Sequence, residues 1–266
     1  MAYEHILLAR NAGIVTLSFN RPETRNAMSA AMGEEIARAV EEIRADASVR
    51  VVVLTGSGKA FSSGGDLRMI AQDTGAKSES GAPSMAGAPR DFYGRYLTIH
   101  GLPVPTIAAI NGHAIGAGLC IALACDMRVA VADAKMGMTF TKLGIHPGMG
   151  ATYFLPRLIG TARACEILFT GRVFDAAEAE RLGLVNRVAA RPDFEATVRA
   201  LAQEVAAAAP IPVRMVKKSI YRGVEHTLED MLDYEALNQG MTFTTADARE
   251  GVTAILEKRA PQFTGK

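Results

Sequence analysis

The stretch that decides the fold is NGHAIGAGLCIALACD, residues 111–126. It places three glycines, Gly112, Gly116 and Gly118, directly before a small apolar segment that favours a helix. Glycine has no side chain, so its backbone N–H groups approach a ligand closely, and a helix N-terminus favours negative charge there. The stretch therefore predicts a binding site made by the backbone. No carboxylate stands beside the glycines, so the group that moves a proton has to lie elsewhere.

The segments around this stretch alternate between strand and helix patterns. Short β-branched or alternating runs predict strands at residues 13–19, 50–56, 105–111 and 127–132. Apolar residues at helical spacing, or small apolar composition, predict helices at residues 29–45, 91–100 and 119–124. Repeated strand, turn and helix order with buried strands implies parallel pairing, so the sequence predicts an α/β fold.

The rest of the chain divides into a loop and a helical region. Residues 73–89 are rich in Gly, Ser and Ala, which predicts a mobile surface loop. After Gly148 the pattern is helical almost throughout, with breaks at glycines and prolines. We therefore predict an α/β core over residues 1–200 and a helical C-terminal region over residues 201–266. Within the second, the stretch from Pro210 to Lys258 is rich in Met, Leu, Ile and Val, which predicts self-association.

Composition and charge exclude several classes of partner. The 266 residues include 29 Lys and Arg against 28 Asp and Glu, so the formal charge is +1 and no global field favours nucleic acid or an anionic membrane. Three cysteines in apolar runs, Cys120, Cys125 and Cys165, predict reduced thiols rather than a disulfide framework. No signal peptide or membrane-spanning pattern is evident. These features predict a cytoplasmic protein.

The glycine-rich turns do not fit the common nucleotide motifs. GSGK at residues 56–59 lacks the first glycine of a phosphate-binding loop, where Val53 stands, and Ala60 replaces the hydroxyl that holds magnesium. GHAIGAG lacks the G-x-G-x-x-G order of dinucleotide sites. His113 and Cys120 are not at metal-ligand spacing, so the sequence predicts no metal site.

Two glycine turns remain, AFSSGGDL (residues 60–67) and NGHAIGAGL (residues 111–119), and each follows a strand and opens a helix. Adjacent parallel strands bring such turns to the same edge of a sheet, where ligands of open α/β folds bind. One backbone N–H from each turn then converges on a single oxygen. That arrangement is an oxyanion hole, which suits a carbonyl that becomes an enolate or a tetrahedral adduct.

The chain resembles the crotonase family, the enoyl-CoA hydratase/isomerase superfamily. The similarity covers nearly the whole chain in the family's order. The matching segments are SFNRPETRNAM, VVVLTGSGKAFSSGGDL, PTIAAINGHAIGAG, GIHPGMGATYFLPRLIG, LFTGRVFDAAEAERLGLVNRV and EGVTAILEKRAPQF. The resemblance implies a spiral of β-β-α units, a helical C-terminal trimerisation region and an acyl-CoA thioester as substrate. Coenzyme A then enters as part of the substrate, and no separate cofactor is expected.

By the same resemblance, the oxyanion-hole amides are those of Gly65 and Ala117. The next residue, Asp66, better fits a helix N-cap than a base, because it directly precedes an apolar helical run. The remaining positions implied by the family bind coenzyme A. The phosphates are expected at Lys59, Arg68 and, from a neighbouring subunit, Lys258, and the adenine against the backbone near Thr24 and Ser63. Ile255 stands where relatives often carry an aromatic residue.

The two catalytic glutamates of the hydratases have no counterpart here. The first position matches Cys120 and the second matches Phe140, and neither is an acid. The later acidic position used by some relatives matches Gly148. Hydration needs a base to activate water and an acid to protonate carbon, so the carboxylate route is closed.

Several other side chains remain as candidates for proton transfer or binding. Cys120 lies on the helix face of Ala117, although a core thiol is the alternative. His113 is a substrate-binding candidate, with a surface or capping role as the alternative. The other candidates are Thr139, Thr141, Lys142 and His146, and also Tyr93, Tyr96 and His100, for whose tyrosines core packing is the default.

The sequence therefore predicts an acyl-CoA-processing enzyme of the enoyl-CoA hydratase/isomerase family that stabilises a thioester enolate and assembles as a homotrimer or hexamer. The alternatives are a decarboxylase or hydrolase of the same fold, in which the oxyanion hole carries most of the catalysis, and a non-catalytic acyl-CoA-binding subunit.

Overall fold

The structure is a computed structural model that describes residues 3–75 and 87–266. Most of the loop predicted at residues 73–89 lies outside the described residues. The ends of that prediction were wrong, because residues 73–75 close one helix and residues 87–89 open the next.

The described residues form ten strands and eleven α-helices. The strands are β1 (Ile6–Asn11), β2 (Ile14–Phe19), β3 (Val51–Gly56), β4 (Ala60–Ser62), β5 (Thr106–Ile110), β6 (His113–Ile115), β7 (Met127–Val131), β8 (Lys135–Gly137), β9 (Val173–Asp175) and β10 (Arg187–Ala189). The helices are α1 (Ala30–Ala45), α2 (Leu67–Gly75), α3 (Gly87–Leu97), α4 (Ala117–Leu123), α5 (Ala151–Ile159), α6 (Thr161–Thr170), α7 (Ala176–Arg181), α8 (Phe194–Ala206), α9 (Pro210–Gly223), α10 (Leu228–Phe243) and α11 (Ala246–Leu256).

The strands form two sheets that the chain visits in turn. The larger sheet has the order β1-β2-β3-β5-β7-β10, and the smaller has the order β4-β6-β8-β9. All pairs from β2 to β10 in the larger sheet are parallel, as are β4 with β6 and β6 with β8. Each of the successive pairs β3 and β4, β5 and β6, and β7 and β8 contributes one strand to each sheet before a helix follows. This is the predicted spiral of β-β-α units.

The long elements form where the apolar pattern predicts them. In α1, Ile36, Val40 and Ile43 are buried, and the Ser29 hydroxyl caps the helix by accepting the N–H of Met32. Strand β3 is buried on both faces, as expected for a central parallel strand. The four predicted strands correspond to β2, β3, β5 and β7.

Six strands were not predicted. Strand β1 has six residues, and β4, β6, β8, β9 and β10 have three each. The sequence predicts turns where β4 and β6 lie and helix almost throughout the region that contains β9 and β10. Strands of three residues contain too few positions to show a period of two. Their pairing is decided by the neighbours that the spiral brings beside them.

The C-terminal helices are attached to the core through α9. Lys217 Nζ lies 2.8 Å from Asp126 Oδ2, and the Tyr221 hydroxyl donates to Asp126 Oδ1 at 2.7 Å. Arg214 donates to the carbonyl oxygen of Val49 at 3.1 Å. Beyond these contacts the outer faces of α9 to α11 are exposed, including Val216, Ile220, Val224, Leu228, Leu232, Leu237, Met241, Phe243, Val252, Ile255 and Leu256. No helix in the described residues is both long and apolar enough to cross a membrane.

Candidate active site

The two glycine turns lie side by side. The predicted strands before them, β3 and β5, are parallel neighbours, and so are the short strands β4 and β6 that lead directly into the turns. A Cβ added to Gly64 would lie 2.6 Å from the carbonyl oxygen of Ile115 and 3.5 Å from the backbone nitrogen of Ala117. A Cβ added to Gly118 would lie 2.6 Å from the carbonyl oxygen of Ser62. Contacts this short exclude a side chain. Glycine at these two positions is therefore what lets the turns approach each other.

Each turn has a backbone N–H group with no acceptor among the described residues. Met28 bridges the first turn, donating to the Gly64 carbonyl at 2.8 Å and accepting from the Asp66 N–H at 3.1 Å. The Gly65 N–H between them has no acceptor in the part of the chain that the structure describes. Ala117 opens α4 directly after Gly116, so its N–H lacks an acceptor within the helix.

Two asparagines hold the turns, and sequence reasoning missed both. Asn26 is fully buried, and its Nδ2 donates to the carbonyl oxygens of Ser57 at 2.9 Å and Ala60 at 2.8 Å. Asn111 Nδ2 donates to the carbonyl oxygen of Gly56 at 2.8 Å. The one available signal was the place of each asparagine in a turn or at a strand end, where such side chains bond to nearby backbone.

The prediction that Asp66 is a helix N-cap is confirmed. Its Oδ1 accepts the N–H of Arg68 at 3.0 Å at the start of α2, and its Oδ2 lies 3.7 Å from a guanidinium nitrogen of Arg21. Capping and ion pairing engage both carboxylate oxygens. Asp66 therefore has a structural role beside the first turn.

The residues expected to bind coenzyme A are only partly brought together. Ser63 donates from its hydroxyl to the carbonyl oxygen of Thr24 at 3.2 Å, so the two positions expected near the adenine are adjacent. Lys59 and Arg68 are exposed on either side of the first turn. Lys258 is exposed after α11, with a positive φ of 55°, and within the described residues it has no contact with the turns. The single chain therefore leaves the contribution expected from a neighbouring subunit as a prediction.

The two positions predicted to match the hydratase glutamates both lie against the second turn. Cys120 is fully buried on α4, and its Sγ lies 3.8 Å from Met138 Sδ and 3.5 Å from the carbonyl oxygen of Gly148. Burial raises the pKa of the Cys120 thiol far above its usual range. The Phe140 ring lies 3.9 Å from the point where a Cβ on Gly116 would stand. Neither side chain is charged at neutral pH.

Of the other polar candidates of this segment, Thr141, Lys142 and His146 are exposed, whereas Thr139 Oγ1 lies beside the second turn, 4.0 Å from the point where a Cβ on Gly116 would stand. Thr141 is exposed and donates to the carbonyl oxygen of Leu168 at 3.0 Å, while Lys142 is exposed beside it. His146 is exposed, and its Nδ1 lies 2.8 Å from the carbonyl oxygen of Pro147. Thr139 is half-buried.

His113 is the first residue of β6, the short strand that leads into the second turn. It is exposed, and its Nδ1 accepts the N–H of Lys135 at 3.1 Å. Its ring also lies close enough to Asp133 to help lower the pKa of that carboxyl, after the larger effect of Arg191. The structure therefore gives His113 a place on the surface, and its role in binding stays a prediction.

The three aromatic candidates that follow the predicted loop differ from one another. Tyr93 and Tyr96 lie on α3, whereas His100 lies beyond its end at Leu97, in a short 3-10 helix, so the helix predicted over residues 91–100 was too long. Tyr96 is fully buried and donates to the carbonyl oxygen of Ser29 at 2.7 Å, which confirms core packing. The His100 ring lies between Phe154 and Tyr221, with ring centroids 5.1 and 5.0 Å away.

Tyr93 is half-buried, and it packs against the edge of the core, whereas Tyr96 lies fully inside it. Its ring lies against Gly148, where a Cβ would stand 2.6 Å from Tyr93 Cζ. Among the described residues, no group of His, Cys, Asp and Glu is arranged to hold a metal ion. The site is therefore made of two free N–H groups, a buried thiol and aromatic side chains.

The alternating sheets and the paired glycine turns define a crotonase-type α/β protein. The family description "Enoyl-CoA hydratase/isomerase" matches residues 9–266 of the chain. The chain is 38% identical over 264 residues to the "Probable enoyl-CoA hydratase echA8" of Mycobacterium tuberculosis, covering 99% of each chain. It is also 35% identical over 268 residues to the "Crotonyl-CoA hydratase" of Syntrophomonas wolfei, covering 100% of each.

Solved structures show the same similarity. The crystal structure of the enoyl-CoA hydratase from Bacillus anthracis matches with a TM-score of 0.90 and 36% identity, covering 99% of this chain and 100% of that one. The protein belongs to the enoyl-CoA hydratase/isomerase family and is an enzyme of that family. The predicted fold and family are thereby confirmed.

Proposed function

We propose that this enzyme processes an acyl-CoA thioester and stabilises its enolate between the N–H groups of Gly65 and Ala117. The observation that carries the proposal is the pair of free N–H groups in two turns that touch each other. Preorganised backbone donors at a developing oxyanion are worth roughly 10² to 10³-fold each in rate. Ala117 also opens α4, where the positive end of the helix dipole favours negative charge.

The same site is expected to hydrate a simple 2-enoyl-CoA poorly. Cys120 is a buried neutral thiol and Phe140 carries no proton to transfer. Positioned acid and base groups contribute roughly 10² to 10⁴-fold, so the hydration rate should fall short of a two-glutamate relative by about that factor. The experiment follows the absorbance of the conjugated crotonyl thioester for both proteins side by side. Equal rates, with equal enzyme and saturating substrate, would refute the inferred loss of the acid and base.

Binding of the coenzyme A portion provides the matched control for that experiment. Lys59 and Arg68 flank the first turn, and Ser63 contacts Thr24, which supports a site for the phosphates and the adenine there. Calorimetry with butyryl-CoA should therefore detect binding even where hydration is slow. Binding without turnover on any thioester of a panel would instead favour the non-catalytic acyl-CoA-binding alternative.

A decarboxylase or hydrolase is the second candidate function. The observation that favours it is that none of the three positions predicted to match the family's acids carries a carboxylate. They hold a thiol at Cys120, a phenyl ring at Phe140 and no side chain at Gly148. In a decarboxylation, the C–C bond that breaks as CO₂ leaves supplies the electron pair of the enolate, so this reaction needs less proton transfer from the protein than hydration or hydrolysis does. Product analysis with malonyl-type and saturated thioesters separates this reaction from hydration.

We also propose that the C-terminal helices assemble the enzyme as a homotrimer or a dimer of trimers. The exposed apolar side chains of α9 to α11, such as Leu228, Phe243 and Leu256, support burial against another copy. Lys258 follows the last of these helices, so assembly would bring it toward a neighbouring site. Sedimentation at micromolar concentration is expected to give a trimer or hexamer, and a monomer would contradict the proposal.

A further inference from the structure

The ring of Tyr93 occupies space that only a glycine at position 148 leaves open. A Cβ on Gly148 would stand 2.6 Å from Tyr93 Cζ, which is far inside ordinary contact distance. The carbonyl oxygen of the same glycine lies 3.5 Å from Cys120 Sγ. Two of the three positions that hold acids in relatives therefore meet at the end of the Tyr93 side chain.

The Tyr93 hydroxyl is available for a ligand. Tyr96, one turn along the same helix, donates to the Ser29 carbonyl, whereas the Tyr93 hydroxyl has no hydrogen-bond partner among residues 3–75 and 87–266. Tyr93 is half-buried, and a partly buried hydroxyl usually finds a partner. Burial first, and the nearby Cys120 second, raise the pKa of Tyr93, so its hydroxyl is a donor at neutral pH.

A series of contacts links the Tyr93 side chain to the oxyanion site. Tyr93 lies against Gly148, whose carbonyl oxygen lies 3.5 Å from Cys120 Sγ, and Cys120 lies three residues after Ala117 on the same face of α4. An acyl chain that extends along this face from a thioester oxygen at the Ala117 N–H therefore passes beside Tyr93. Resting on the proposed function, we propose that the Tyr93 hydroxyl donates a hydrogen bond to an oxygen on C3 of the bound acyl group, in place of the missing carboxylates.

The test compares two ligands that differ by one oxygen, 3-hydroxybutyryl-CoA and butyryl-CoA, by calorimetry on the full chain. Tyr93→Phe removes only the hydroxyl, so it should weaken binding of 3-hydroxybutyryl-CoA by about 3- to 10-fold, the range for one neutral hydrogen bond. The affinity of Tyr93→Phe for butyryl-CoA should stay within about 2-fold of that of the unmodified protein, because this ligand lacks the acceptor. Equal weakening of both ligands, or of neither, overturns the proposal.

Two further variants separate a ligand contact from a structural effect. Tyr96→Phe removes the neighbouring core hydroxyl and should lower stability without changing the ratio of the two affinities. Gly148→Ala should reproduce the selective loss of Tyr93→Phe, because the added methyl group displaces the ring. An unchanged ratio in Gly148→Ala contradicts the assignment. If the unmodified protein does not bind butyryl-CoA, the proposed function itself is overturned. If butyryl-CoA binds normally, the ratio of the two affinities tests the role of Tyr93 alone.

Discussion

The two halves of the site differ in what they are made of. The first half consists of backbone N–H groups at Gly65 and Ala117, held by glycines and by asparagine side chains. The second half is the segment where relatives place carboxylates, and it consists of a buried thiol at Cys120 and a phenyl ring at Phe140. Only the second half depends on side-chain chemistry at the reacting atoms.

Because of this difference, the backbone half and the side-chain half respond differently to substitution. A backbone donor needs only that the chain follow the same path, and that path is stabilised by contacts throughout the two sheets. A carboxylate is lost through a single substitution, and the buried space accepts a thiol or ring without disturbing the turns. If Cys120 and Phe140 replace the family's acids as predicted, the backbone donors persist where the proton-transfer groups do not.

The largest expected effect comes from removing a donor in the backbone half. Proline at position 117 deletes the N–H, and it is compatible with the first position of a helix. We expect Ala117→Pro to lower kcat by roughly 10² to 10³-fold on whichever thioester proves to be the substrate. The control is Ala246→Pro, which places proline at the exposed first position of α11. If both variants retain full turnover, the N–H of Ala117 is not a donor.

The next effect concerns the side chain that holds the first turn. Asn26→Ala leaves the carbonyls of Ser57 and Ala60 without their donor, and the positive φ of 56° at this position strains alanine. The free energy of unfolding should fall by about 3 kcal/mol in urea titration. Asn186→Ala, which removes one bond from an exposed residue, should cost no more than about 1 kcal/mol. Similar losses in the two variants would contradict the special role of Asn26.

A smaller effect is expected from the buried thiol as pH rises. The raised pKa of Cys120 means that the folded protein keeps its proton while the unfolded chain releases it above about pH 8.5 to 9. The unfolded state then binds fewer protons, so stability is full below that pH and is lost above it. When the pH rises from 8 to 10, the free energy of unfolding should fall by about 1.4 kcal/mol less for Cys120→Ala than for the parent. An identical loss in both proteins would show that the thiol ionises freely in the fold.

The smallest expected effect tests whether the Cys120 side chain contributes to catalysis. Its Sγ contacts Met138 and the Gly148 carbonyl, so Cys120→Ala removes a packing group and leaves the turns in place. We expect kcat to stay within about 3-fold of the parent once folding is controlled, well below the change expected for loss of a positioned acid or base. A drop of a hundredfold, restored by Cys120→Ser, would assign proton transfer to this position.

Sequence reasoning alone determined the long elements, the parallel α/β class and the two turns. Strands β2, β3, β5 and β7 and helix α1 carry a hydrophobic period that a single sequence displays directly. The glycines at 64 and 118 marked places of close backbone approach, because no other residue avoids a clash there. Family resemblance then supplied the family and the expected positions, including those of the missing acids.

Only the tertiary structure decided how short strands pair and where isolated polar side chains point. Strands such as β4 and β6 have three residues each, so their partners are chosen by the spiral and not by their own pattern. In the sequence, nothing distinguishes Asn26 from other asparagines in turns, or Tyr93 from other tyrosines of the core. Asn26 acts through bonds to residues more than 30 positions away, and Tyr93 is set apart from Tyr96 by the absence of a side chain at Gly148. Contacts between residues far apart in the chain leave no local period, which is why three-dimensional packing had to specify them.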